Sequence, residues 1–228
     1  QDPARSLNPR MSVFDVLTSG YRYSPLWPGR KKAREEAGAI LEETGLSFAD
    51  LDRRPTEFSG GQRQRISIAR GLIMGPDLLI CDEVVSALDV SIQGQILNLL
   101  QDIRERRNLS FLFIAHDLKV AGYFCDRIGV MYRGELMEEA DARDLYRQAL
   151  HPYTKLLYSS VARIGRDAGV AGTGGHIAVP LGEIGASSVS TEGCAFAARC
   201  PIADGRCRSE RPELLDAGSG HRVRCFKA

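Results

Sequence analysis

The apolar positions of the chain change period several times. Val13–Leu17 lies in a Pro-rich opening stretch (Pro3, Pro9, Pro25, Pro28) and reads as a short helix within a loop. Lys31–Glu43 carries Ala33, Ala37, Ile40 and Leu41 on one side and meets Gly45, the pattern of an amphipathic helix with a glycine stop. Ser59 and Gln62 fit a capping box, and Ile66, Ala69 and Ile73 recur at helical spacing until Gly75-Pro76. Leu78–Cys81 is a short all-apolar run between Pro76 and Asp82, which predicts a buried parallel strand. Ile92, Ile96, Leu99, Leu100 and Ile103 form a helical stripe; Leu109–Ala115 reads as a second buried strand and Leu118–Phe124 as a short helix. Arg127–Tyr132 and Glu135–Glu138 flank Arg133-Gly134 as a hairpin, and Asp141 is placed to cap a helix reaching about Leu150. The alternation of helix and apolar strand over 59–132 predicts an α/β fold with a parallel sheet.

Residues 165–193 hold eight glycines and no strong period, the mark of a linker or loosely ordered crossover. The last 35 residues are rich in Cys and Arg, with seven basic and four acidic side chains. Composition narrows the class. The 228 residues are 43% hydrophobic and 26% charged, as in globular proteins, and suffice for one sizeable domain with an appendage or two modest ones. The longest apolar runs, such as Phe111–Ala115, fall far short of the roughly 20 residues a membrane helix needs. A net charge of +1 gives no basic excess, so a nucleic-acid partner is not expected. The chain begins with Gln1 and shows no charged-then-apolar leader, so it reads as cut at its front rather than secreted.

Three features bear chemistry. Ser59-Gly60-Gly61-Gln62 leaves backbone amides bare at a helix N-terminus, a place suited to phosphate and equally to an ordinary capped helix. Leu78–Cys81 runs into Asp82-Glu83, two carboxylates at the carboxyl edge of a predicted strand, where one can hold Mg²⁺ and the next can polarise a water. His116 follows the second strand and can reach a phosphoryl group beside them.

Order and spacing join these features. Ser-Gly-Gly-Gln, Asp-Glu twenty residues after Gln62, Ser86-Ala87-Leu88-Asp89 and then His116 resemble the nucleotide-binding domain of ABC transporters. FSGGQRQRISIARGL looks like the signature helix, LLICDE like Walker B, SALD like the D-loop, FIAHD like the switch histidine, and Gln1 like the Q-loop glutamine. The Q-loop, His151-Pro152-Tyr153 and the Cys-rich tail are similar to the ATPase subunits of oligopeptide, dipeptide and nickel importers. The resemblance implies that Asp82 holds Mg²⁺ and Glu83 acts as general base. It implies that His116 bridges Glu83 and the γ-phosphate, and that Gln1 senses Mg²⁺ and the lytic water. Ser59, Gly60, Gly61 and Gln62 would clamp ATP bound to a second ATPase subunit, and Asp89 would touch that subunit's phosphate loop. No G-x-x-x-x-G-K-[ST] occurs, so an upstream phosphate loop is expected to precede Gln1, and the chain alone is expected to bind ATP weakly and turn over little. Val84 stands where the family usually has Pro, and Phe58 replaces its Leu.

Cys194, Cys200, Cys207 and Cys225 have spacings unlike a zinc ribbon or a ferredoxin run. Four thiolates suit a [4Fe–4S] cluster or Zn²⁺; reduced or disulfide-linked structural cysteines are the other reading. The resemblance implies the iron–sulfur cluster as a structural staple. Cys81 and Cys125 read as buried, inert thiols, and His151 as packed at a helix start with Pro152 in the first helical position.

The expected organisation is a partial ABC ATPase domain over 1–150, with a helical signature subdomain at about 10–75, and a Cys-rich extension over 151–228. The expected function is ATP-driven import of oligopeptides or dipeptides, with nickel or another small solute as the variant. A second ABC ATPase subunit, identical to this one or different from it, two membrane-spanning permease subunits and, indirectly, an extracytoplasmic solute-binding protein would be its partners. It would sit peripherally on the cytoplasmic face of the cell membrane. A non-catalytic metal-binding module and an ABC-type DNA-repair ATPase are the rivals; the latter is disfavoured because no sustained heptad occurs.

Overall fold

The computed structural model of the chain describes residues 3–86, 88–162 and 192–228. Gln1 and Ala87 lie outside them, as does all of the Gly-rich stretch 165–193 except Glu192 and Gly193. Two compact units divide at His116/Asp117.

The first unit begins with α1 (Pro3–Ser6), α2 (Val13–Thr18), α3 (Arg30–Glu43) and α4 (Gly60–Leu72). Ser12 caps α2 by accepting from the Asp15 amide at 3.1 Å, and α3 stops at Gly45, whose φ of +76° favours glycine. Both α2 and α3 pack on α4. Phe14, Leu17, Leu41, Leu51, Ile66 and Leu72 are fully buried in this unit. Between α2 and α3, Trp27 stands edge-on to Tyr21 with ring centres 5.5 Å apart, and the Tyr21 hydroxyl donates to Glu36 at 2.9 Å.

β1 (Leu78–Asp82), α5 (Val90–Arg107) and β2 (Ser110–Ile114) complete the unit. The strands pair in parallel from Leu78↔Ser110 to Asp82↔Ile114, as the apolar pattern predicts. Ile96, Leu100 and Ile103 bury the inner face of α5, and Arg107 near its end chelates Glu43 of α3 with its Nε 2.9 Å from Oε1. The expectation of strands buried on both faces is corrected. Leu79 packs on Gly71 of α4, but Leu78, Ile80, Leu112 and Ile114 are between 46% and 60% exposed. Among the described residues the helices cover one face of the pair, and the alternation of side chains turns these four to the other.

The second unit holds α6 (Leu118–Phe124), β3 (Arg127–Tyr132), β4 (Glu135–Asp141), α7 (Ala142–Gln148), α8 (Pro152–Ala162), α9 (Gly205–Ser209), β5 (Leu215–Asp216) and β6 (Arg222–Val223). Its sheet is ordered β3-β4-β6-β5, antiparallel throughout. Arg133 (φ +50°) and Gly134 (φ +83°) both take positive φ, the turn that matches the twist of a tight hairpin. Ile128, Val130, Ala140, Ala142 and Leu145 form the core, flanked by Tyr153, Leu157 and Tyr158 of α8. Asp141 occupies the cap position of α7, yet its side chain makes no capping bond.

The tail is held by aromatic and polar packing. Phe196 is buried against Tyr132 and Tyr153, each 5.3 Å away between ring centres. The fully buried Glu138 carboxylate accepts the Leu150 amide at 2.6 Å and the His151 amide at 3.0 Å, and pairs with His221 Nε2 at 2.7 Å. His151 Nδ1 accepts the Tyr153 amide at 3.0 Å, so His151 packs at the start of α8 and Pro152 opens the helix, as read from the sequence.

Burial lowers the pKa of His151 from its usual value to about 4. The unfolded chain takes up that proton near pH 6.5 and the folded chain refuses it. The neutral ring's contribution to stability is therefore complete above about pH 6.5 and is lost as pH falls toward about 4. Urea unfolding midpoints are expected to fall across that window, and His151→Gln, which keeps an acceptor without titrating there, is expected to flatten the profile. An unchanged slope in the variant refutes the assignment to His151.

Candidate functional site

The parallel register decides what the carboxyl end of the strand pair displays. Because Asp82 sits opposite Ile114, Glu83, the residue after β1, and His116, two residues past β2, emerge near one another. His116 Nδ1 lies 3.8 Å from Glu83 Oε1, with both side chains solvent-accessible. Glu83 adopts φ +49°, a region that costs a non-glycine residue about 1–2 kcal/mol. Its amide donates to the Ile114 carbonyl at 3.0 Å, adding one more rung to the ladder, and its carbonyl accepts the Ser86 amide at 3.1 Å. The Ser86 hydroxyl donates to the same carbonyl at 2.9 Å. The strained glutamate is thus fixed from both sides.

Asp82 is the exposed last residue of β1. Mg²⁺ takes oxygen ligands and is commonly held by one or two carboxylates plus substrate phosphates. The Asp82-Glu83 pair fits that demand without a three-ligand cage. Asp82 also borders an open cavity of about 270 Å³ with Gln64, Ser67, Gly71 and Cys81.

The predicted capping box is present. Ser59 Oγ accepts the Gln62 amide at 3.3 Å, and Gln62 Oε1 accepts the Ser59 amide at 3.0 Å. Ser59, Gly60 and Gln62 are exposed, so the N-terminus of α4 faces outward. Its glycines differ in kind. A methyl group on Gly61 would lie 2.9 Å from Ile92 Cγ2, whereas the nearest atom to one on Gly60 is Leu88 Cδ2 at 4.0 Å. Packing accounts for Gly61; among the described residues nothing requires glycine at 60. Asp89 caps α5 by position without a side-chain bond and is exposed. Gln1 lies outside the described residues. The positive φ of Glu83 and the Ser86 lock went unread from the sequence, which names residue types but carries no mark of a left-handed glutamate.

The iron–sulfur reading of the tail is corrected, and zinc gains no support. Cys194, Cys200, Cys207 and Cys225 line one cavity of about 20 Å³. Among the described residues, however, no group of three or more Cys, His, Asp or Glu is arranged to hold a metal ion. All four are free thiols, and burial pushes the pKa of Cys194 and Cys200 up, against the thiolate a metal needs. The backbone does the joining instead: the Cys194 amide donates to the Cys207 carbonyl at 2.9 Å, and Asp204 caps α9 through the Cys207 amide at 3.0 Å.

A parallel strand pair, one strand of which runs into two carboxylates, and an outward-facing Gly-rich helix start are features of an α/β fold resembling the ATPase cassettes of ABC transporters. A dimeric bacterial ABC transporter cassette matches the chain with a TM-score of 0.51 and 27% identity, over 60% of this chain and 59% of that one. The family described as ABC transporter matches residues 1–86, and that described as oligopeptide/dipeptide transporter, C-terminal region, matches residues 137–207. The oligopeptide transport ATP-binding protein AppF of Bacillus subtilis is 42% identical over 99% of this chain and 67% of its own. The oligopeptide transport ATP-binding protein OppF of Escherichia coli is 44% identical over 100% of this chain and 67% of its own. The chain belongs to the oligopeptide-transport family of ABC ATP-binding proteins. It spans about two thirds of the length of these curated relatives.

The two glycines are expected to separate in a thermal melt. Gly61→Ala forces Ile92 aside and costs about 1–3 kcal/mol; Gly60→Ala is neutral or stabilising by up to about 1 kcal/mol. Equal losses at both positions contradict this division.

Proposed function

We propose that the chain is the ATP-hydrolysing subunit that energises import of oligopeptides or dipeptides. The observation that carries this is the Glu83–His116 pair at the carboxyl end of the parallel strands, 3.8 Å apart, in a chain of this family. The names of AppF and OppF, both oligopeptide transport ATP-binding proteins, support the solute class.

Asp82 and Glu83 bring two carboxylate groups to the strand end, where Asp82 would hold Mg²⁺. When bound with ATP, Mg²⁺ neutralises the charge that builds on the transferred phosphoryl group. Glu83 accepts the proton of the water that attacks the γ-phosphate. Its left-handed backbone holds the carboxylate beside His116, which bridges it to the γ-phosphate. Gln1 senses the metal and the lytic water. Ser59, Gly60, Gly61 and Gln62 clamp the γ-phosphate of nucleotide on a second ATPase subunit: the Gly60 and Gly61 amides offer their partial positive charge, while the Ser59 and Gln62 amides close the capping box that holds this helix start in place. Asp89, exposed at the start of α5, meets that subunit's phosphate loop.

Dividing each site between two subunits makes the nucleotide part of their interface. Cleavage then removes the phosphate contact that closes the pair, a population shift driven by differential binding. Two permease subunits receive the motion, and an extracytoplasmic solute-binding protein feeds them. No helix among the described residues is long and apolar enough to cross a membrane, and the subunit sits peripherally on the cytoplasmic face.

In the transporter reconstituted in liposomes, Glu83→Gln is expected to retain nucleotide binding while cutting ATP hydrolysis by about a hundredfold or more and stopping peptide uptake. Hydrolysis left at the wild-type rate overturns the reading.

A further inference from the structure

The turn that presents Glu83 has a brace that neither the motifs nor the comparisons assign. Gln93, one turn into α5, sends its side chain back toward the helix start, the direction helical side chains take. Its Nε2 lies 3.0 Å from the Val85 carbonyl. That oxygen can only accept, so the end of Gln93 that faces it is the amide donor. The same carbonyl accepts the Leu88 amide at 3.2 Å. Val85 itself is buried, and two residues upstream of it stands Glu83 in its left-handed conformation.

The neighbouring residue on the same turn of α5 points elsewhere. Ile92 packs on Gly61, at the start of α4. One helical turn therefore touches both halves of the machinery: Ile92 the Gly-rich start that serves a second subunit, Gln93 the carboxylate turn that serves the chain's own nucleotide. The Ile92 and Gln93 amides both donate to the Asp89 carbonyl, at 2.9 and 2.8 Å.

We propose that Gln93 is a positioning residue for hydrolysis: its bond to the Val85 carbonyl keeps the strained turn from relaxing and so holds the Glu83 carboxylate where it meets the attacking water. Removing the donor lets φ of Glu83 move toward the ordinary region, carrying the carboxylate away from the His116 side. Small misplacements of this kind cost rate rather than binding. The inference rests on the reading of Glu83 as general base.

The test is steady-state ATP hydrolysis by the reconstituted transporter. Gln93→Leu, of similar size without a donor, is expected to lower kcat about tenfold with KM for ATP within about twofold. Gln93→Lys, which restores a donor, is expected to recover most of the rate, and Gln93→Glu, which offers acceptors to an acceptor, is not. Gln95→Leu, an exposed change on the same helix, serves as the control for stability and activity. If Gln93→Leu is poorly folded, the Lys and Glu variants decide between them: equal rates overturn the proposal. So does a kcat for Gln93→Leu within twofold of wild type, or a loss confined to KM, while Glu83→Gln still abolishes hydrolysis. If Glu83→Gln hydrolyses ATP normally, the failure belongs to the reading of Glu83 instead.

Discussion

The amide of Glu83 donates to the carbonyl of Ile114, and the geometry of the site follows from that one ladder bond. It extends the parallel pairing a step past the last strand residues and fixes where the chain turns out of the sheet. A parallel register brings both strands to the same edge, so Glu83, just past β1, and His116, two residues past β2, come out as neighbours. Slipping the pairing by one position would turn every side chain to the opposite face and carry His116 away from Glu83. The strain at Glu83 is held by the Ile114 carbonyl on one side and by Ser86 on the other.

Much of this was legible in the sequence because local chemistry fixes it. The Ser59–Gln62 box is a short-range bargain between side chain and backbone, and the structure makes both of its bonds. The apolar runs located β1 and β2 to within a residue or two, and Arg133-Gly134 marked the hairpin. The rest depends on partners distant in sequence. An all-apolar strand looks the same whether one face or two are covered, so the open face of Leu78, Ile80, Leu112 and Ile114 could not be read. β5 and β6 are two residues each, too short for any period. Cysteine spacing counts thiols but not their geometry, which is why four cysteines suggested a metal that their arrangement does not favour.

In the second unit, a buried carboxylate does what a metal was expected to do. Glu138 gathers the α7–α8 connection through two amides and the tail through His221. A buried anion is costly unless its oxygens are occupied, and here both are. Phe196, packed against Tyr132 and Tyr153, which also touch each other, supplies the apolar half of the same seam. A small tail gains its order from the body it lies on, and the sequence alone gives no hint of this because Glu138, Phe196 and His221 are far apart along the chain.

The pairing of Trp27 with Tyr21 has a spectroscopic consequence. Trp27 is the sole tryptophan of the chain, and it stands half-buried in the first unit. Intrinsic emission excited at the red edge of the indole band therefore watches the helical layer around α2 and α3 directly. The far-ultraviolet dichroism, by contrast, includes β3, β4 and α8 of the second unit. Two optical probes that disagree would reveal the two units melting separately, before any label is attached.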